Sequence, residues 1–467
     1  MTIQYLKNGI SRRAVLGGAA AGVLAFTPGW SGQTNIDVVI VGAGAAGIGA
    51  AITLHKAGLN CRIVEAQNYV GGRALTDTTT FQDGAGKPVP FDIGCAWIHR
   101  FQPCDPFADY SKEYNFTTRE HDLDVSRLYY GSKATPELVT QQHEDEEEIK
   151  EKIAEDYEQN RDVAANTLYP DWPPPRDAAA TYMGAMDMAV DFKDMSTSDF
   201  HVMADYEPNR LVREGYGSLV RTVATRHKLQ VHKNCEVTAV ESRKDGVLVT
   251  TSQGTITAKA AIVTVSTGVL QTGRIKFTPE FDDRRKKAIE DVPMGLLVKI
   301  PLSVPNLNDF LNGVRPRIGP YDNVLQENTK DEDIYFLAQP WDSNLMVGFV
   351  GGDFARELCG QGEAEAIAFA TDRLGDIFGT DMRRRVTKGL MTNWLTNEHV
   401  LGAYSAARPG RHAARDGLAR PLGFDNVLFA GEAMAPEGMF ATCSGAYLSG
   451  RDVAARLARK LRTPKAA

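Results

Sequence analysis

The sequence predicts a nucleotide-binding α/β unit interleaved with a second unit of mixed sheet and helices, and three observations predict it. Residues 36–73 carry an apolar run, a glycine-rich turn, a helical pattern, a second apolar run and an acid, in that order. Apolar strands suited to the same sheet return far along the chain, at 260–270 and after Asn426. The stretches between, about 105–210 and 288–390, differ in character and would pair with each other. The expected division is 34–105, 208–287 and 391–467 for the nucleotide unit and 106–207 and 288–390 for a substrate unit. Residues 1–33 stand apart. A chain of 467 residues is long enough for two cores.

The first element decides the ligand class. Residues 36–41 enter Gly42-Ala-Gly44-Ala-Ala-Gly47, a GxGxxG that opens a helical pattern, and the apolar run 61–64 ends on Glu65. Gly42 makes the tight turn, Gly44 lets the backbone approach a pyrophosphate, and Gly47 lets helix and sheet pack closely. The pyrophosphate would sit on the amides of the helix N-terminus, with Glu65 accepting from a ribose hydroxyl. A lone GxGxxG carries little weight, but the full order of strand, turn, helix, strand and acid carries much more. Gly71-Gly72-Arg73 adds a flexible turn and a guanidinium suited to phosphate. The stretch looks like an FAD site in a Rossmann-like domain.

The later elements follow in turn. Phe91-Asp-Ile-Gly-Cys-Ala-Trp-Ile-His-Arg100 is a compact apolar segment punctuated by Gly94. The acidic run His143-Glu-Asp-Glu-Glu-Glu148 continues as a helical pattern to Asn160. It reads as a solvated helix face, with a mouth for cations as the alternative. Pro173-Pro174-Pro175 breaks the chain after it, and Arg213-Glu-Gly-Tyr-Gly-Ser-Leu219 opens another helix. Residues 231–249 alternate in the β manner with Asp245-Gly246 as a hairpin turn. Residues 260–270 read as one buried strand, and 426–457 as strand, turn and long helix.

Composition limits the partners. The chain is 43% hydrophobic and 24% charged, as an ordinary globular protein is, and its net charge of −7 argues against nucleic acid. Cys61, Cys95, Cys104, Cys235, Cys359 and Cys443 show neither metal spacing nor a disulfide framework. No metal site is expected, and a disulfide stays open. Ser11-Arg12-Arg13 precedes a short Gly/Ala-rich apolar stretch ending near Phe26. This resembles a twin-arginine (Tat) signal and predicts export to the periplasm by that machinery, or cytoplasmic residence if the signal is unused.

Four separated motifs then coincide: residues 42–73; Asp92-Ile-Gly-Cys-Ala-Trp-Ile-His99; Met294-Gly-Leu-Leu-Val-Lys299; and Phe429-Ala-Gly-Glu432 with Gly445-Ala-Tyr-Leu-Ser-Gly450. On these the chain resembles the flavin-containing amine oxidases, the monoamine and polyamine oxidases, over nearly all of residues 34–460. The resemblance implies FAD contacts from Ala46, Ala66, Gly72, Arg73, Ala96, Trp97, Val237, Trp394, Gly431, Glu432, Thr442 and Ala446. It implies non-covalent FAD, because Ala403 stands where monoamine oxidases carry a flavin-linked cysteine. Lys299 sits on an apolar strand and must reach solvent or find a polar partner; the family's matching lysine holds a water near the flavin N5. Tyr404 aligns with one wall of the aromatic cage that flanks the amine nitrogen, and Phe440 or Thr442 with the other. His99 matches a histidine that several polyamine oxidases carry at the channel mouth. Cys95 and Arg100 each replace a glycine, and Cys95 joins the pocket.

The implied chemistry is oxidation of a C–N bond in a small amine, secondary or polyamine-like. The imine formed is hydrolysed to a carbonyl compound and a smaller amine, with O2 or another acceptor taking the electrons and H2O2 as the product of O2. Lys299, Tyr404 and His99 are the candidate catalytic residues. An L-amino-acid oxidase is the first rival and needs a pocket arginine, for which Arg100 or Arg210 are candidates. A desaturase sits badly with Lys299 and Gly402-Ala-Tyr404. A non-catalytic flavoprotein predicts FAD that no amine reduces. Oligomeric state is not legible.

Overall fold

The computed structural model describes residues 36–102, 105–168, 177–203, 207–315, 317–327 and 332–462. The twin-arginine segment, Cys104 and Pro173-Pro174-Pro175 lie outside them.

Val38–Val41 is fully buried, as a central parallel strand with both faces covered must be. It pairs in parallel with Cys61–Val64 on one side and Ala260–Val263 on the other. Val231–His232 and Val427–Phe429 extend the sheet to five strands, all parallel. Val38 and Ile40 face the helices Ala45–Lys56 and Cys443–Arg462, whose Ala50, Leu54, Val453 and Leu457 complete that core. Val39 and Val41 face a four-stranded sheet that includes Val237–Arg243 and Gly246–Thr251, antiparallel neighbours joined at the expected hairpin. The last helix meets the first at glycine: a Cβ on Gly450 would lie 1.9 Å from the Ala46 carbonyl oxygen. The expected strand over 260–270 ends at Val263 and gives way to the helix Thr267–Gln271. The Ser266 hydroxyl accepts from the Val269 amide at 3.2 Å, so a helix cap displaces the ladder there.

The second layer system is a seven-stranded sheet in which Leu297–Ser303 and Leu345–Gly351 are antiparallel neighbours. Alternation along the first of these strands sets the site. Val298, Ile300 and Leu302 point into a core shared with the helices Gly352–Gln361 and Glu363–Phe378. Leu297 and Lys299 therefore point to the other face, where Lys299 pairs in register with Phe349. That face meets Phe91, Trp97 and Met186, so the two layer systems close on each other around a cavity.

The acidic run lies in the helix Pro136–Glu158, and only part of it is solvated. Glu144, Glu147 and Glu148 are exposed, whereas Glu146 is buried on the face that also carries Ile149 and Ile153. The expectation of a solvated face is corrected for that inner stripe: the two isoleucines dock it on a core with Met183 and Phe200. No described helix is long and apolar enough to cross a membrane.

Candidate active site

One end of the cavity is a cradle for a dinucleotide. Gly42 turns with φ +104°, and a Cβ on Gly47 would lie 2.0 Å from the Gly42 carbonyl oxygen, so only glycine lets the helix start there. Gly44 caps the helix without a side-chain partner, and the first turn holds no acid. No cap or first-turn side chain therefore accepts from its amides, and Gly44, Ala45 and Ala46 line the cavity. Glu65 stands beside them: its carboxylate accepts from the amides of Ala43 (2.7 Å) and Gln67 (2.8 Å). Burial raises its pKa in spite of those two bonds. Helix amides uncapped by any side chain suit a pyrophosphate and a nearby carboxylate suits a ribose diol, so the residues fit FAD. Glu65→Ala is expected to weaken FAD binding about 10- to 100-fold, the scale of a hydrogen bond to a charged group. Titrating the apoprotein with FAD by flavin fluorescence checks it, and an unchanged Kd removes the ribose role.

The middle of the cavity is closed by residues from distant segments. Arg73 Nη1 donates to Glu432 (2.9 Å) and to the Ala403 carbonyl oxygen (2.8 Å). Glu432 also accepts from the Ser405 hydroxyl at 2.6 Å. Burial opposes the charge on Glu432, but Arg73, Ser405 and Arg415 together hold its pKa below the usual value. Arg73, expected to face phosphate, is thus first a partner of Glu432. The loop carrying Tyr404 is clipped to the lysine strand's approach: Gly295 donates to the Tyr404 carbonyl oxygen (2.7 Å) and Ala403 to that of Gly295 (2.8 Å). Met294-Gly295 is thereby tied to Ala403-Tyr404, which explains why two motifs over 100 residues apart meet. Thr442 caps the last helix, its hydroxyl accepting from Gly445 at 2.9 Å.

Lys299 lies inside the protein and does not reach solvent; it is 7% exposed. Its Nζ donates to the backbone oxygens of Asp92 (3.0 Å) and Gly94 and sits 5.8 Å from the ring centres of Trp97 and Phe349. Burial brings its pKa down to about 8, against the opposing pull of Asp92 and Cys95. Tyr404 donates its hydroxyl to the Asp187 carbonyl oxygen at 2.8 Å. His99 Nδ1 lies 2.7 Å from Asn209 Oδ1, and the Asn209 amide nitrogen is held by Glu207. The oxygen of that amide therefore faces the ring, which makes Nδ1 the protonated nitrogen. Burial lowers the His99 pKa, so the imidazole is neutral at neutral pH.

The cavity wall brings together Lys299, Tyr404, His99, Cys95, Ala96, Trp97, Val237 and Trp394 with Ala66, Gly72, Gly431, Thr442 and Ala446. Gly47 lies beneath the cradle as a packing residue. Phe440 is not on the wall and is corrected as a pocket residue. Its ring faces Arg415 (4.3 Å) and His412 (6.0 Å) in a core behind the cavity. Ala441, with φ +59°, bends the chain after Phe440, and Thr442 alone of the two reaches the wall. Among the residues that sequence reading missed, Tyr182, Tyr335, Phe349 and Asp187 line the wall. Arg100 and Arg210 are off it; Arg100 donates to the Gly438 carbonyl oxygen and Arg210 stacks on Phe101.

Residues 182–458 match the family model described as flavin containing amine oxidoreductase. The chain belongs to that family. This flavin-containing amine oxidoreductase also matches, at 40–114, the model of an NAD(P)-binding Rossmann-like domain, and the dinucleotide its cradle accommodates is FAD. Similar proteins include polyamine oxidase 2 of Arabidopsis thaliana, 27% identical over 446 residues, covering 89% of this chain and 86% of the relative. Polyamine oxidase 5 of Oryza sativa subsp. japonica is 27% identical over 464 residues, covering 91% and 88%. Among solved structures, putrescine oxidase bound to putrescine has a TM-score of 0.72 at 19% identity, covering 91% of this chain and 99% of that one. Cyclohexylamine oxidase from Brevibacterium oxydans IH-35A has 0.73 at 18%, covering 91% and 99%. At those identities the structural likeness speaks to the shared fold. The oxidoreductase acts on amines.

Proposed function

We propose that this amine oxidoreductase oxidises a secondary or polyamine-like amine to an imine, hydrolysed to an aldehyde or ketone and a smaller amine, with O2 reduced to H2O2. FAD, held without a covalent link, supplies the two-electron acceptor. The chain's own residues bind the amine, orient its α-carbon and exclude bulk water. In this reading Lys299 acts through a held water, Tyr404 flanks the substrate nitrogen, and neutral His99 accepts a hydrogen bond at the channel. Thr442 and Cys95 shape the remaining wall. Arg12-Arg13 supports export by the Tat route in the same proposal.

The observation that carries this reading is the wall around Lys299 and Tyr404: Tyr182, Tyr335, Phe349 and Trp97 supply aromatic surface, and both arginines on the described wall already have a carboxylate partner. An apolar, aromatic wall favours the neutral amine. The two arginines on the described wall are engaged elsewhere, Arg73 with Glu432 and Arg274 with Glu398 at 2.8 Å. That speaks against an L-amino acid as substrate. The polyamine oxidases among the relatives speak for a polyamine-like one.

The test is anaerobic mixing of the FAD-loaded protein with polyamines, alkyl and aryl monoamines and amino acids, following the visible flavin absorbance. Rapid bleaching by secondary or polyamine-like amines is expected. Bleaching by amino acids alone, or by no member of the panel, would overturn the reading.

A further inference from the structure

Asp187 is a carboxylate on the cavity wall, beside Tyr404, whose chemistry the preceding reading leaves unused. It sits in the π-helical stretch Tyr182–Met188, which Ala189 closes with φ +58°. Single π-helical turns are frequent at functional sites because they re-aim side chains. Its backbone oxygen takes the Tyr404 hydroxyl at 2.8 Å, so the residue stands directly beside that tyrosine. Among the described residues, its carboxylate makes no hydrogen bond and no ion pair. Asp187 is half-buried on the cavity wall, so a ligand in the cavity can supply the partner that no described protein group does.

The ligand of this site is an amine, on the reading given above, on which this inference rests. Alkyl amines reach the protein as ammonium ions at neutral pH, with pKa values of about 10, whereas only the neutral nitrogen can release a hydride from its α-carbon. We propose that Asp187 is the proton acceptor that neutralises the bound substrate. An N–H bond of the ammonium breaks, its electron pair stays on nitrogen, and the proton goes to an Asp187 carboxylate oxygen. The amine proceeds neutral and Asp187 becomes a carboxylic acid.

The surroundings favour this transfer. Burial, and then Glu146, push the Asp187 carboxyl up to about 7, with Lys150 pulling it back. The same burial lowers the pKa of an ammonium, so the two groups approach each other in basicity. Four titratable groups face Asp187. Glu146 and Lys150 come from the helix Pro136–Glu158, where they pair at 2.8 Å. Tyr182 lies at the start of the same π-helical stretch, and Tyr404 on the loop opposite. Asp191, Lys193 and Asp353, beyond Ala189, pair with one another. The two other candidate catalytic bases are less suited. Burial lowers His99 below the ordinary imidazole value, and Lys299 Nζ is committed as a donor to the Asp92 and Gly94 carbonyl oxygens.

Two measurements on the FAD-loaded protein and its Asp187→Asn variant test the assignment. The first is calorimetry at pH 8 in buffers of different ionisation enthalpy, using a tert-alkyl amine whose α-carbon carries no hydrogen. The wild type is expected to bind it with little net proton release, because Asp187 keeps the proton. The variant is expected to release about one proton more, since only neutral amine can then fill the site. The second is the pH profile of anaerobic flavin bleaching by a reactive amine. The acid limb is expected near pH 7 in the wild type and displaced toward the amine's own pKa in the variant. The rate at pH 7 falls roughly 100-fold, within the range of general-base effects, and recovers at high pH. Asp187→Glu, which keeps a carboxyl, is expected to retain the wild-type pattern. Equal proton release, or an undisplaced acid limb, in Asp187→Asn overturns the proposal. A wild type bleached by no amine is a separate failure, that of the functional reading itself.

Discussion

Arg415→Met is expected to destabilise the protein by about 3–5 kcal/mol, the cost of stranding one member of a buried ion pair. Asp199 and Arg415 are 0% and 3% exposed at their side chains. Arg415 Nε and Nη2 meet the two Asp199 oxygens at 2.8 and 2.6 Å, a bidentate pair. His412 and the Ala407 amide complete the carboxylate's shell at 3.0 and 2.8 Å. Burial opposes the charge, but Arg415 and these donors outweigh it and hold the Asp199 pKa well below the usual carboxylate range. A depressed carboxylate contributes stability that is present above its unfolded pKa of about 3.9 and is lost as pH falls below it. The substitution should therefore matter at neutral pH and fade in acid. Equilibrium unfolding at pH 7 and pH 3 checks both the size and the trend. A double variant, Asp199→Asn with Arg415→Met, leaves no unpaired charge and should lose less than Arg415→Met alone. The effect reaches the site, because Arg415 also donates to the Ser405 hydroxyl (3.0 Å) and the Ala433 carbonyl oxygen (3.2 Å). Those contacts fix the loop that carries Tyr404.

What the sequence made legible follows from how local each signal is. The cradle is local: Gly42, Gly44, Gly47 and Glu65 act within one βαβ unit, and their backbone tasks dictate their identities. Lys299 was legible as an anomaly, a lysine on an apolar strand, though its destination depended on which face alternation would turn inward. Asp187 was hidden because Tyr-Met-Gly-Ala-Met-Asp-Met reads as an apolar helix. The π-helical turn that rotates the carboxylate into the cavity leaves no mark in hydrophobic periodicity. Phe440 misled for a similar reason: a left-handed alanine after it reverses the chain, a conformation that alanine does not advertise. The Asp199–Arg415 pair joins residues 216 positions apart, and no local pattern connects them.

Lys299→Met should lower turnover by at least about 100-fold while FAD stays bound. Lys299 lies away from the glycine cradle, and its only described hydrogen bonds from Nζ are to the Asp92 and Gly94 carbonyl oxygens. Removing it costs no contact with the cofactor's phosphates. It removes the one cationic donor that the lysine strand offers to the cavity, between the rings of Phe91, Trp97 and Phe349. A methionine fills much of the same volume, so packing is nearly conserved and the chemical loss is isolated. The pH response separates this role from a structural one. Burial lowers the Lys299 pKa to about 8, so the unfolded chain binds more protons than the folded one between pH 8 and about 10.4. Stability from this residue thus rises with pH across that window, and Lys299→Met should abolish the rise. Unfolding midpoints at pH 8 and pH 10 read that difference, and FAD content and turnover at pH 8 read the chemistry. Turnover equal to wild type would remove Lys299 from the catalytic set. Lost turnover with FAD retained and the stability rise abolished would mean that the buried ammonium is kept, against its folding cost, for the reaction.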